Sequence, residues 1–355
     1  MQAAIMDQQK LEAFSMRAVA DVAAGYIGVM VSLGHSLGLY RALDGAGPIS
    51  SKELARRADC AERYVREWLG SQAAAGYVDY HAMSATYELS PEHALVLADE
   101  QSPFFIPPAW NVPAAMWHDE DRAAEAFRTG GGVAWGDHHG RMSCGVAAFY
   151  RNGYRACLVP QWLPALDGVV ERLRDRIAVA DVGCGHGHST RLMAQAFPSS
   201  QFFGFDTHQD SLQAAIAHAG GVREPGRLDF ETASATGYPD RQYGLICFFD
   251  TLHDLGDPEA AARKALESLA PGGTVMLVEP FARDRLEDNL SVVGQLYYAA
   301  SSLICCAHAI AEGGRQVLGA QAGPKRLEAI FRKAGFTHFR QAAETPFNLV
   351  FEIRR

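Results

Sequence analysis

Residues 177–190, IAVADVGCGHGHST, constrain the fold of this chain more than any other stretch. The run opens apolar and β-branched, breaks after Asp181 into three alternating glycines (Gly183, Gly185 and Gly187), and continues from Ser189 with helical character. Strand, glycine turn and helix in that order describe a parallel strand whose C-terminal end passes a ligand. Glycines let the backbone come close, and the first N–H groups of the helix meet an anionic group. The spacing narrows the ligand. A dinucleotide fingerprint, GxGxxG, needs glycine at 188, where His188 stands, and no lysine follows to make a phosphate loop. The next apolar run, QFFGFD over 201–206, ends in Asp206, placed to accept hydrogen bonds from both hydroxyls of a ribose. An adenosine-like ligand without a pyrophosphate remains.

Around this stretch the pattern alternates. Helices are expected over 189–197, 211–219 and 259–269, and strands over 201–206, 228–232, 243–249 and 274–278. Two last strands, near 335–337 and over 348–353, close one edge as a hairpin. This rhythm belongs to a parallel sheet flanked by helices.

The first half reads differently. Residues 1–20 carry an amphipathic helical pattern. They lead into VAAGYIGVMVSLGHSLGLY, residues 22–40, which approaches bilayer length without a full charge. Four glycines, two serines and His35 dilute it, and Asp21 and Arg41 bound it, so a buried or intersubunit helix pair is expected rather than a membrane span. A homodimer contact is the partner surface that such helices call for. Serine-capped residues 50–55, a turn at 59–61, a helix over 62–75 and strand-like residues 77–80 and 86–89 make a winged helix-turn-helix. Between Lys52 and Gln72 five cations face four anions, too small a surplus to neutralise phosphates. The net charge of −9 opposes nucleic acid and anionic lipid in the same way. Seven scattered cysteines form no CxxC, which fits a reducing cytoplasm, and no basic segment leads into an apolar one as in a signal peptide. The adjacent His138 and His139 diverge too far to share a metal, and no metal is expected. They are candidates for lining a substrate pocket.

With Asp181-x-Gly183-x-Gly185-x-Gly187, Asp206 and Leu269-Ala270-Pro271-Gly272-Gly273 in order, residues 154–355 resemble the class I S-adenosylmethionine-dependent methyltransferases. The resemblance implies an α/β, Rossmann-like seven-stranded sheet with its last strand antiparallel. It implies S-adenosylmethionine on the glycine loop and Asp206, with Ser234 and Ala235 beside the adenine and Phe249 at the end of the fourth strand. The winged helix ahead of it is similar to the dimerisation domain of small-molecule O-methyltransferases, which divides the chain into 1–100, a substrate-lining linker over 101–153, and 154–355. In that family a Leu-His-Asp sequence after strand four supplies a general base, which makes His253 the expected base, with its ring oriented by Asp254 or a more distant acid. A histidine of ordinary pKa, about 6.5, is largely neutral at cell pH and adds roughly 10²- to 10⁴-fold in rate. Tyr154, Tyr297 and Tyr298 join His138 and His139 as candidate substrate contacts. The rival expectation is a winged-helix regulator that keeps the cofactor fold as a ligand sensor.

Overall fold

The structure, a computed structural model, describes residues 6–222 and 226–355. The chain forms two compact units that divide between Asn111 and Val112, so most of the stretch expected as a linker belongs with the second.

In the first unit, Asp7 accepts hydrogen bonds from the N–H groups of Gln9 and Lys10 and so starts α1, Gln8–Ser36. The expected pair of helices is one continuous helix of 29 residues. Two glycines that dilute its hydropathy are packing sites: a Cβ at Gly28 would lie 2.3 Å from the Trp110 ring, and one at Gly34 would lie 2.5 Å from Trp68. The short α2 (Leu39–Leu43) follows, then the Ser50-capped α3 (Ser51–Arg57) and α4 (Glu62–Ala74). A wing of β1 (Asp79–His81) and β2 (Thr86–Glu88) pairs antiparallel, and α5 (Pro91–Leu97) closes the unit. Leu43, Leu54, Val65, Trp68 and Leu69 form its core. On α4 and its neighbour the four arginines are matched: Arg56 and Arg57 pair with Glu53, Arg63 with Glu67, and Arg66 with Glu62.

The second unit begins with α6 (Asn111–His118), α7 (Glu120–Thr129), α8 (Arg141–Cys157) and α9 (Val169–Asp175). Then come β3 (Ala178–Val182), α10 (His188–Ala196), β4 (Gln201–Asp206), α11 (Gln209–Ala219), β5 (Leu228–Thr232), β6 (Tyr243–Phe249), α12 (Pro258–Ser268) and β7 (Leu269–Pro280). After α13 (Val292–Ala300), α14 (Cys306–Ala311) and α15 (Pro324–Ala334), the hairpin β8 (His338–Glu344) and β9 (Asn348–Arg354) ends the chain. The seven-stranded sheet has the order β5-β4-β3-β6-β7-β9-β8. Strands β3 to β7 run parallel to their neighbours, and β9 is antiparallel to both β7 and β8.

Alternation along the strands explains why both faces are covered. Val179, Phe202, Leu245, Cys247 and Met276 pack on one side. Ala180, Phe203, Ile246, Val275 and Leu277, their neighbours in sequence, pack on the other. Strands buried on both faces must be apolar throughout, as YGLICFF in β6 is. The strand order reverses between β3 and β6, and open α/β sheets bind ligands at the C-terminal ends of such a pair.

Candidate active site

The loop after β3 is built so that only glycine serves at two positions. Gly183 has φ of +75°, and a Cβ there would lie 2.2 Å from Cγ2 of Thr251. Gly187, at φ +67°, would drive a Cβ to 2.7 Å from the Phe230 ring. Gly185 instead faces open space, so any side chain there would fill the cradle. Asp181 ties the loop to the first turn of α10: its Oδ2 accepts from Ser189 Oγ at 2.7 Å and Thr190 Oγ1 at 2.6 Å. Full burial pushes its carboxyl up to about 6. Expected among the cofactor contacts, Asp181 and Gly187 do not line the cavity; they shape the loop that does.

Asp206 receives the N–H of Gly185 at 2.9 Å on Oδ2 and that of His208 at 2.8 Å on Oδ1. A carboxylate has about four acceptor positions. Asp206 therefore keeps lone pairs for hydroxyls in the cavity it lines.

That cavity is about 950 Å³. Gly183, Gly185, Asp206, Ser234, Ala235 and Phe249, the sequence candidates for holding the cofactor, line one part of it. Trp135, Tyr150, Tyr154, Asp250, Asp254, His308 and Glu312 line another. Of the five expected substrate contacts, Tyr154 alone is among the lining residues. Asp119 holds the other two candidates of its region: His138 Nδ1 donates to it at 3.1 Å, and the His139 N–H donates at 2.9 Å. Burial raises the Asp119 carboxyl, but His118, His139 and His138 outweigh it and bring it down to about 2. Tyr297 is buried and donates its hydroxyl to the Phe347 carbonyl at 2.8 Å, and Tyr298 next to it lies off the cavity as well.

The Leu252-His253-Asp254 turn lies just past β6, where the sequence places it. Its histidine is in an unexpected state. His253 is 3% exposed and does not line the cavity. Its Nδ1 sits 2.6 Å from Glu279 Oε2 and its Nε2 3.1 Å from Asp254 Oδ1. Burial alone would lower its pKa, but Asp254 and Glu279 together raise it well above 6.5. The ring therefore holds its proton at neutral pH, and the neutral, cavity-facing imidazole expected from the sequence is replaced by an imidazolium behind a carboxylate. Burial raises Asp254 in turn, yet His253 beside it brings its carboxyl below the ordinary range. Asp254 is the member of the chain that reaches the cavity.

Glu279, at the C-terminal end of the neighbouring strand β7, went unread in the sequence. It also accepts the Leu252 N–H at 3.1 Å, so one side chain fixes both the turn and the ring. Asp250 was missed too. It adopts φ of +50° and accepts from Tyr154 OH at 2.9 Å and Asn348 Nδ2 at 2.8 Å. Burial, with Glu279 nearby, pushes its carboxyl well above the usual range.

An open parallel sheet carrying a glycine cradle and a ribose-type acid at its switch point defines a nucleotide-cofactor enzyme of the Rossmann-like class. Residues 152–339, more than half of the chain, match the family described as a methyltransferase domain, and residues 25–99 match the Rv2258c-like winged HTH domain. The chain belongs to the methyltransferase family, in its class I, S-adenosylmethionine-dependent form, with a winged helix ahead of the catalytic domain. It is 38% identical to a trans-aconitate 2-methyltransferase of Streptomyces avermitilis over 113 residues, 32% of this chain and 42% of that one. The chain thus spans about two fifths of the length of the curated relatives it matches. The fold resembles human N-acetylserotonin methyltransferase in complex with SAM (TM-score 0.68, 16% identity, 99% of both chains covered). It also resembles the mitomycin 7-O-methyltransferase MmcR (TM-score 0.66, 18% identity, 98% and 100% covered). The cofactor of this class is S-adenosylmethionine, and the open cradle at Gly185 with the unspent lone pairs of Asp206 fits it.

Proposed function

We propose that this protein transfers a methyl group from S-adenosylmethionine to oxygen of a small molecule, with Asp254 as the cavity-facing proton acceptor. The observation that carries this reading is the chain Glu279–His253–Asp254, which ends at the wall of the cofactor cavity. When bound, the cofactor supplies a methyl already activated on a sulfonium. The protein's part is to hold the acceptor in line, exclude water and receive a proton. Orientation in a closed site contributes on the order of 7–11 kcal/mol. Trp135, Tyr150 and Tyr154 give the acceptor a partly flat, apolar wall. His253 and Glu279 are positioning residues that keep Asp254 ionised and aimed.

Calorimetry tests the cofactor claim. S-adenosylmethionine binds the purified protein, and Asp206→Ala weakens it about 10- to 100-fold, as losing hydrogen bonds to a charged group costs ~1.5–3 kcal/mol. No detectable binding to the unaltered protein overturns the reading. A screen of phenols and alcohols with methyl-labelled cofactor then tests the acceptor class: label appears in a methyl ether. Arg263 and Arg315 also line the cavity and favour a second reading, methyl ester formation on a polycarboxylic acid such as the substrate named for the trans-aconitate relatives. That acceptor is already ionised and needs no base, so label in an ester with turnover indifferent to Asp254→Asn selects it.

A homodimer in the cytoplasm is part of this proposal. Helix α1 is long and apolar enough to cross a bilayer, yet only 11% of its most apolar window is buried, with Phe14, Val22 and Tyr26 exposed. A second copy of the chain covers this face without lipid. Sedimentation equilibrium shows a dimer, and the double change Phe14→Glu, Val22→Glu yields a folded monomer; a monomeric unaltered protein overturns the dimer.

A further inference from the structure

We propose that His186, His188 and His218 form a binding site for a borderline divalent metal ion, Zn²⁺ above all, at the rim of the cofactor cavity. Resting on the fold alone, the site does not require the acceptor reading above. His186 lies inside the glycine loop, His188 opens α10 two residues later and His218 lies in the last turn of α11, so two separate pieces of backbone converge. Each ring offers one nitrogen, and these nitrogens all lie within 4.8 Å of one another. The His188 and His218 rings stack at 4.9 Å, and His186 stands 5.9 Å from His218 and 6.3 Å from His188.

A tetrahedral zinc with Zn–N bonds of about 2.0–2.1 Å places its nitrogen ligands roughly 3.3 Å apart. The three rings therefore need to close by at most about 1.5 Å, and the His218 side chain, exposed at the end of a helix, has the freedom to do it.

The hydrogen bonding around the cluster is that of a ligand set. His218 Nδ1 lies 3.4 Å from the carbonyl of His186. A carbonyl only accepts, so Nδ1 carries the proton and Nε2 is left with its lone pair. Metal-bound histidines commonly donate their other N–H to a carbonyl in this way, which fixes tautomer and ring plane. Three imidazoles and no thiolate or carboxylate suit zinc, copper or nickel rather than magnesium or calcium.

Arg151 and Arg191 are the cations that act on His188. They disfavour a bare dication and favour one whose remaining ligand is an anion. Three protein ligands leave a fourth position open, as in catalytic rather than structural zinc sites. His186 and His188 both line the cavity while His218 does not, so the open position faces the cavity. A metal here pins the glycine loop to α10 and α11.

The sequence carries a visible sign of this site, the His186-Gly187-His188 pair. The third ligand is thirty residues further on.

The test uses the full, untagged chain, freed of metal by chelation. Calorimetry with Zn²⁺ shows one site in the micromolar range or tighter, and His218→Ala weakens it by more than about 100-fold, beyond the upper end of what losing an outer-shell partner costs. His218→Gln serves as a second variant should the alanine protein fail to fold. S-adenosylmethionine still binds both variants without metal, since His218 lies off the cavity. Co²⁺ in place of zinc gives the absorption of a tetrahedral nitrogen site without a thiolate charge-transfer band. Absence of stoichiometric zinc binding, binding that survives both His218 changes, or a thiolate band from Cys305 or another cysteine overturns the proposal.

Discussion

Asp254→Asn lowers kcat by about 10²- to 10⁴-fold, the range a positioned proton-transfer group contributes, and leaves S-adenosylmethionine affinity unchanged. Asparagine keeps the size and one acceptor oxygen of the carboxylate but cannot take a proton at neutral pH. The same proposal separates Asp254 from His253 by pH. In the unaltered protein His253 holds Asp254 below its ordinary pKa, so kcat does not fall until the medium is more acidic than about pH 4. In His253→Gln the opposing charge is gone while burial remains, so Asp254 titrates upward and the acid limb of kcat moves toward neutrality. Raising the pH then restores turnover, which a purely structural role for His253 does not allow. The opposite assignment has its own signature. If the ring itself takes the proton, turnover in the unaltered protein rises on the alkaline side, as the imidazolium must first deprotonate, and His253→Gln abolishes that rise without recovery at any pH.

The parts of this site that the sequence disclosed are those whose partners are near in sequence or dictated by the strand rhythm. Asp206 stands out in the sequence because it ends an apolar run, and the structure puts it on the cavity wall. Gly183 and Gly185 could be read because their spacing is local. Gly187 and Asp181 lie off the cavity although they share the motif, because strand-to-helix packing and ligand contact impose the same glycine and acid pattern on a loop. Glu279 was hidden for a different reason: its partner His253 is 26 residues away, and only the parallel pairing of β6 with β7 puts the two strand ends side by side. Trp135 and His308 illustrate the same limit, joined by a backbone-to-imidazole hydrogen bond of 3.2 Å across 173 residues. In the first unit the glycines of α1 read as interruptions, since a lone sequence does not show that Trp68 and Trp110 fill the space they leave. Apolar periodicity sets the sheet and its layers, whereas side-chain convergence at the site depends on pairings that periodicity does not encode.

Glu279→Ala destabilises the protein by about 3–5 kcal/mol, the range for removing one partner from a buried charged pair. An exposed surface pair such as Arg285 with Asp288 contributes little by comparison, because water and salt screen it. The cost is high because Glu279 is 2% exposed and accepts two hydrogen bonds, from His253 Nδ1 and the Leu252 N–H. Both donors lose their partner when the carboxylate is cut away. Glu279→Gln keeps an acceptor for the Leu252 N–H and loses less, so the difference between the two variants isolates the charge. The pH dependence follows from the sign of the His253 shift. A histidine whose folded pKa is raised contributes stability that is fully present below its unfolded pKa, about 6.5, and is lost as pH rises through the folded value. Urea unfolding of the unaltered protein should therefore hold its midpoint below about pH 6.5 and lose stability steadily above it, until the pH passes the folded value. In Glu279→Ala only Asp254 still supports the imidazolium, the folded pKa drops, and the decline begins at the same pH but ends sooner, so the two proteins converge on the alkaline side. A midpoint that falls by the same amount at every pH would show that His253 is not held as a cation by Glu279, and would return the ring to the role of a neutral base.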